Sequence, residues 1–66
     1  MDNNLNTLDI PSFNKYWNQY YWWINSTYIE RIATESDYFI SGHYCEDGLP
    51  RVFKTDTEVL EFLRLK

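Results

Sequence analysis

Four residues in one short stretch, His43, Cys45, Glu46 and Asp47, are of types that do chemistry, and their spacing decides which chemistry is open to them. His43 and Cys45 are two apart, so on a strand both would point to one face, as two ligands of a metal ion must. A structural zinc site wants four ligands, usually in paired Cys or His spacings, and this chain has one Cys and one His. A cysteine nucleophile with a histidine base also needs an orienting third group, an oxyanion site and a cleft that excludes water. One short hairpin has little room for that cleft. The only glycines are Gly42 and Gly48, so no Gly-rich phosphate loop is present. No catalytic residue, metal or cofactor is expected, and the pair reads as a half-buried imidazole and a packed thiol.

The element expected to carry these residues is a hairpin. Tyr38 to Cys45 is short, aromatic and β-branched; Asp47-Gly48 suits the positive φ angles of a type I′ turn; Arg51 to Lys54 reads as the return strand. With Asp47 and Gly48 as the turn, Glu46 faces Leu49, Tyr44 faces Arg51 and Gly42 faces Phe53. One face then shows Tyr38, Ile40, Tyr44 and Phe53, with the Phe53 ring lying over Gly42. Pro50 cannot donate to a ladder, which puts its strand at a sheet edge or at a bulge.

On either side of the hairpin the pattern predicts helices. Pro11-Ser12 suits a helix start, and Phe13, Trp17, Tyr20, Tyr21, Ile24, Tyr28 and Ile32 recur at spacings of three and four, with Tyr16 and Trp23 widening the stripe. One continuous helix to Ala33 is preferred, because the stripe stays in phase. The alternative is a break at Asn25-Ser26, with Thr27 and Glu30 as a capping box for a second helix. At the other end, Thr55 and Glu58 have capping-box spacing, and Val59, Leu60, Phe62, Leu63 and Leu65 supply an apolar surface, with Arg64 and Lys66 suiting the C-terminal end. The expected fold class is α+β, in the order α-β-β-α: a long aromatic N-terminal helix, an antiparallel hairpin and a short C-terminal helix.

Sixty-six residues allow one domain, residues 1–66, with Met1 to Leu8 expected as a flexible polar arm. So short a chain buries only about 60% of its unfolded surface, and with a single cysteine it forms no internal disulfide. Aromatic side chains, 20% of the residues, are the expected substitute, helped by self-association. The lone cysteine suits a reducing, cytoplasmic setting, and Met1 to Ile10 lacks the basic cluster and apolar run of a secretory signal. Asn14, Asn18, Gln19 and Asn25 make the aromatic segment too polar to span a membrane.

Charge bounds the partners. A formal net charge of −4 argues against direct nucleic-acid binding, which depends on Lys and Arg. From Ile10 to Ile29 the only charged residue is Lys15, whereas most of the acids follow from Glu30 onward. On the expected helix, Trp22 and Ile29 lie seven apart and off the main stripe, among Asn18, Asn25, Ser26 and Lys15. They are therefore the expected partner-binding anchors, with Asn18 and Asn25 beside them and Glu46 and Asp47 as the acidic contribution. The competing arrangement has the N-terminal arm, or part of the hairpin, folded over Trp22.

With no shared motif, and at the level of size, charge and expected architecture alone, the chain resembles the small acidic proteins with which phages and mobile elements block host enzymes, anti-CRISPR proteins among them. The resemblance implies a stoichiometric inhibitor, a nucleic-acid mimic covering a basic nucleic-acid-binding surface of a protein partner. It assigns no site residue. The second expectation is a structural or regulatory subunit that homodimerises or docks through its aromatic helix.

Overall fold

The segment expected to be one helix is two strands. In the computed structural model, which describes residues 7–65, the order is β1 (Ser12–Asn14), β2 (Gln19–Ile24), β3 (Thr27–Ile32), β4 (Tyr38–Ile40), a 3-10 turn (Gly42–Tyr44), β5 (Arg51–Phe53) and α1 (Asp56–Arg64). The strands form one antiparallel meander in sequence order, β1-β2-β3-β4-β5. The fold is thus mostly β with one C-terminal helix, and the expected α-β-β-α order with its long N-terminal helix is wrong. Residues 1–6 of the expected arm lie outside the described residues, as does Lys66.

Two physical facts favour strands here. Tyr, Trp, Ile, Thr and Asn are poor helix formers, while all but Asn favour a pleated, half-buried surface. Asn25 and Ser26 both take left-handed conformations, φ 56° and 61°, as a type I′ turn requires, and pair Ile24 with Thr27 across it. The first turn is built differently. The Asn14 side-chain oxygen accepts the backbone N–H groups of Tyr16 (3.0 Å) and Trp17 (3.4 Å), and Asn18, at φ 53°, leads the chain back into β2.

Strand registers sort the side chains into two faces. On one, Trp22, Ile29, Ile40 and Arg51 form a continuous cross-strand row. Val59 and Leu63 of α1 close over that face and, with Trp22, Ile24, Ile29, Ile40 and Cys45, make the core. Arg31 lies on the same side, its guanidinium over the rings of Tyr20 (5.1 Å) and Tyr38 (5.9 Å), and it donates to the Glu35 carbonyl (2.7 Å). The helix begins where expected: the Thr55 hydroxyl accepts the Glu58 N–H, and the Glu58 carboxylate accepts the Thr55 N–H.

The β4–β5 hairpin is real but its register differs. Arg51 pairs with Ile40 and Phe53 with Tyr38, a shift of four residues from the expected pairing. An even shift preserves side-chain facing, so Tyr38, Ile40 and Phe53 still share the core side. The displaced residues form the 3-10 turn and a tighter bend in which the Gly48 N–H bonds the Cys45 carbonyl (3.0 Å), with Gly48 at φ 74°. Gly42 serves a close backbone approach and does not lie under Phe53: a Cβ there would collide with the Gly48 carbonyl oxygen. Pro50 precedes an edge strand, β5, as its missing N–H predicts.

Candidate binding face

Among the described residues no helix covers the opposite side of the sheet. By register it carries Gln19, Tyr21 and Trp23 from β2, Tyr28, Glu30 and Ile32 from β3, Phe39 from β4 and Val52 from β5. Tyr21, Glu30, Phe39 and Val52 form one row across four strands. Trp23 and Tyr28 form the next. The rings make a connected strip: Tyr21 stacks on Tyr28 (5.7 Å), Trp23 stands edge-on to Tyr28 (5.1 Å), and Tyr44 meets Trp23 (6.1 Å). Trp23 remains 58% exposed.

A polar centre is built into this strip. Gln19 is buried, and its amide nitrogen donates to both the Glu30 carboxylate (2.7 Å) and the Tyr28 hydroxyl (3.0 Å). One buried amide therefore fixes an acid and a phenol in place. Burial, then the nearby Glu30 charge, pushes the Tyr28 phenol above its ordinary value. It keeps its proton at neutral pH and remains a donor. Beside this centre is a depression lined by Glu30, Arg31, Ile32, Glu35, Asp37, Phe39 and Val52, so three carboxylates and one arginine surround its apolar residues. No Lys or Arg occupies a strand position on this face. Arg31 and Arg51 belong to the core side, and Lys54 pairs with Asp37 at 3.2 Å.

The expected anchors are elsewhere. Trp22 and Ile29 are direct cross-strand partners in the core, and both are buried, so the exposed contact pair does not exist. The competing arrangement comes close for Trp22: its indole N–H donates to the Asp9 carbonyl (2.6 Å), and Leu8 packs on the core beside it. Their seven-residue separation reflects pairing across a two-residue turn, not one face of a helix. Asn18 and Asn25 are exposed turn residues needed for their left-handed backbone, and Asn25 also donates to the Leu63 carbonyl (3.3 Å). Asp47 is exposed but engaged. It accepts the Leu49 N–H (3.0 Å) and pairs with Arg51 (3.1 Å), and these, the N–H first, hold its carboxyl below the ordinary range. Glu46 is exposed at the same bend, beside a cleft it lines with Tyr44, Arg51, Phe62 and Leu65.

His43 and Cys45 do not share a strand face. His43 is an exposed residue of the 3-10 turn, while the Cys45 sulfur is buried against the Ser41 carbonyl (3.6 Å). Among the described residues no group of three or more His, Cys, Asp or Glu is placed to hold a metal ion. No helix among them is long and apolar enough to cross a membrane.

Comparison with known families, curated proteins and solved structures gives no match. The face is therefore read on its own chemistry. Tyr21, Trp23 and Tyr28 were missed as a site because a helical reading puts them on its core-facing stripe, and Phe39 and Val52 because the hairpin was read only by the face that shows Tyr38, Ile40 and Phe53. Counting outward by two from the Asn25-Ser26 turn, with strands assumed, places Trp23 and Tyr21 with Tyr28 and Glu30 on one side.

Proposed function

We propose that this chain is a non-enzymatic binding protein that lays its uncovered aromatic sheet face on a basic surface of a protein partner. The observation that carries the reading is the combination on that face: exposed aromatic rings, a fixed carboxylate at Glu30 and no strand-borne cation. A guanidinium or ammonium is attracted to ring faces and to carboxylates alike, and its aliphatic stem suits an apolar floor of Ile32, Phe39 and Val52. Trp23 is the anchor, and Glu30 is the charge that selects a cation. Where the basic surface is one that otherwise takes nucleic acid, occupying it makes the chain an inhibitor by occlusion. The buried, unpaired thiol of Cys45 suits a cytoplasmic setting for such a partner.

Titration with an Arg- and Lys-rich peptide, followed by tryptophan fluorescence, tests the proposal. Binding is expected at low salt and should weaken steeply between about 50 and about 500 mM salt, where the screening length drops below about 10 Å. Trp23→Ala should cost at least about 2 kcal/mol, some thirtyfold in affinity, and Glu30→Gln should flatten the salt dependence with the fold intact. An affinity unchanged in both variants, or no binding at low salt, would refute it.

A further inference from the structure

The sheet has two edges, and they are protected differently. Each edge strand follows a proline and precedes a lysine, Pro11 and Lys15 for β1 and Pro50 and Lys54 for β5. But β5 also carries Arg51 within it, tied to Asp47, and its Lys54 is tied to Asp37. Proline and charge are ordinary means of blocking strand addition. The β1 edge has no charge within it. Ser12, Phe13 and Asn14 present an uncharged strand, with Pro11 just before it.

Around that edge, which no described strand pairs, the chain exposes four large side chains in one run. Ile10 is 93% exposed, Phe13 49%, Tyr16 84% and Trp17 63%. Tyr16 and Trp17 sit edge-to-face, ring centres 4.9 Å apart, on a turn held by the Asn14 side chain, so their presentation is preorganised. Four such exposed residues within eight positions at a sheet edge, two of them in ring contact, are a feature that marks contact sites.

We infer that this edge is a self-association surface, taken by the β1 edge of a second copy to join two sheets antiparallel. Charge selects the occupant. Each copy carries a formal −4, so two copies approach best where neither presents a carboxylate, and from Ile10 to Ile29 the only charge is Lys15. The aromatic sheet face fails that requirement, since it would bring two Glu30 side chains together. Area sets the strength. At roughly 150–250 Å² per ring, the exposed fractions of Phe13, Tyr16 and Trp17 offer about 300–500 Å² per copy. A pair would bury about 600–1,000 Å² from these rings, short of the roughly 1,200–2,000 Å² of a standard interface before Ile10 and the strand backbone contribute. The pair is therefore a weak dimer that fills with concentration.

Sedimentation velocity on the full chain from about 5 µM to about 1 mM is the test, since weak contacts of this size dissociate in or above the micromolar range. The expected result is a mass rising from the 8.1 kDa monomer toward twice that value. Added salt should strengthen the dimer, because screening relieves repulsion between two acidic copies. That is opposite in sign to its effect on a basic peptide at the Glu30 face, so the two surfaces fail or succeed separately. Replacing Tyr16 and Trp17 by Ser should abolish the rise while circular dichroism and the dilute melting temperature stay as in the parent. Phe13→Lys, which adds charge to the strand itself, should also abolish the rise, with a small loss of stability because the Phe13 ring packs on Tyr20 (4.9 Å). A parent that stays monomeric at about 1 mM, or a Tyr16/Trp17 variant that associates as the parent does, overturns the inference.

Discussion

Ser26→Gly separates a turn from a helix by the sign of its effect. Ser26 has φ 61° as the second of two left-handed residues between β2 and β3. A left-handed conformation costs an L-residue roughly 1–2 kcal/mol, and glycine avoids that cost. Glycine in turn loses more backbone entropy on folding, about 0.5–1 kcal/mol. The difference leaves Ser26→Gly stabilising by about 0.5–1 kcal/mol, in keeping with the preference for Asn-Gly at these two positions. For a domain of this length that raises the melting temperature by roughly 2–8 °C. In a helix interior the same substitution would remove about 0.5 kcal/mol, because glycine is among the poorest helix formers. Thermal unfolding followed by circular dichroism reads the sign directly, with Ser26→Val as the opposing control, since a β-branched residue strains at positive φ. A lower melting temperature for the glycine variant would refute the turn argument and the registers that rest on it.

Two further outcomes follow from the faces of the sheet. Trp22→Ala should remove about 3–5 kcal/mol of stability, measured by urea unfolding, whereas Trp23→Ala should remove no more than about 1.5 kcal/mol, the worth of its ring contacts; equal losses would mean that the two faces are misassigned. Tyr28 should be the late-titrating tyrosine in an ultraviolet pH titration. Because its folded value is raised, the unfolded chain releases the proton first, so stability is fully present below pH about 10 and falls as pH rises from there through the folded value. Tyr28→Phe should flatten that decline, and an unchanged alkaline profile in the variant would count against the burial argument.

How far the sequence reveals this protein depends on which local signals compete. The helix start at Thr55 is legible because a capping box has few alternatives: one hydroxyl and one carboxylate at a fixed spacing satisfy two backbone groups. The facing of Tyr38, Ile40 and Phe53 survives a wrong register because the period of a strand is two and the error was four. Between Phe13 and Ile32 no such protection exists. Aromatic and branched residues fill so many positions that a three-and-four spacing can be found whether or not a helix is present, and the period then discriminates nothing. Propensity and turn chemistry discriminate there: the residues are poor helix formers, and Asn25-Ser26 tolerates left-handed backbone where a helix interior would not.

The same error decided where the site was sought. Positions 22 and 29 stand off a helical stripe, but across a two-residue turn centred between 25 and 26 they are opposite one another, and a shared face next to Ile40 makes them core. Shifting one position along β2 exchanges the buried Trp22 for the exposed Trp23, so a period of two turns a core assignment into a surface assignment at each step. The choice between the two tryptophans is therefore settled by the turn. With Asn25 and Ser26 fixed as its two residues, Trp23 must share a face with Tyr28. Tyr21 must likewise share it with Glu30, and among the described strand positions on that face the one charged residue is Glu30, whose carboxylate Gln19 holds. An aromatic surface with a fixed acid at its centre repels a second copy of itself and attracts a cation. The uncharged β1 edge does neither. The chain thus presents two surfaces whose responses to salt have opposite sign, which follows from the placement of Glu30 and Lys15 and not from the total charge.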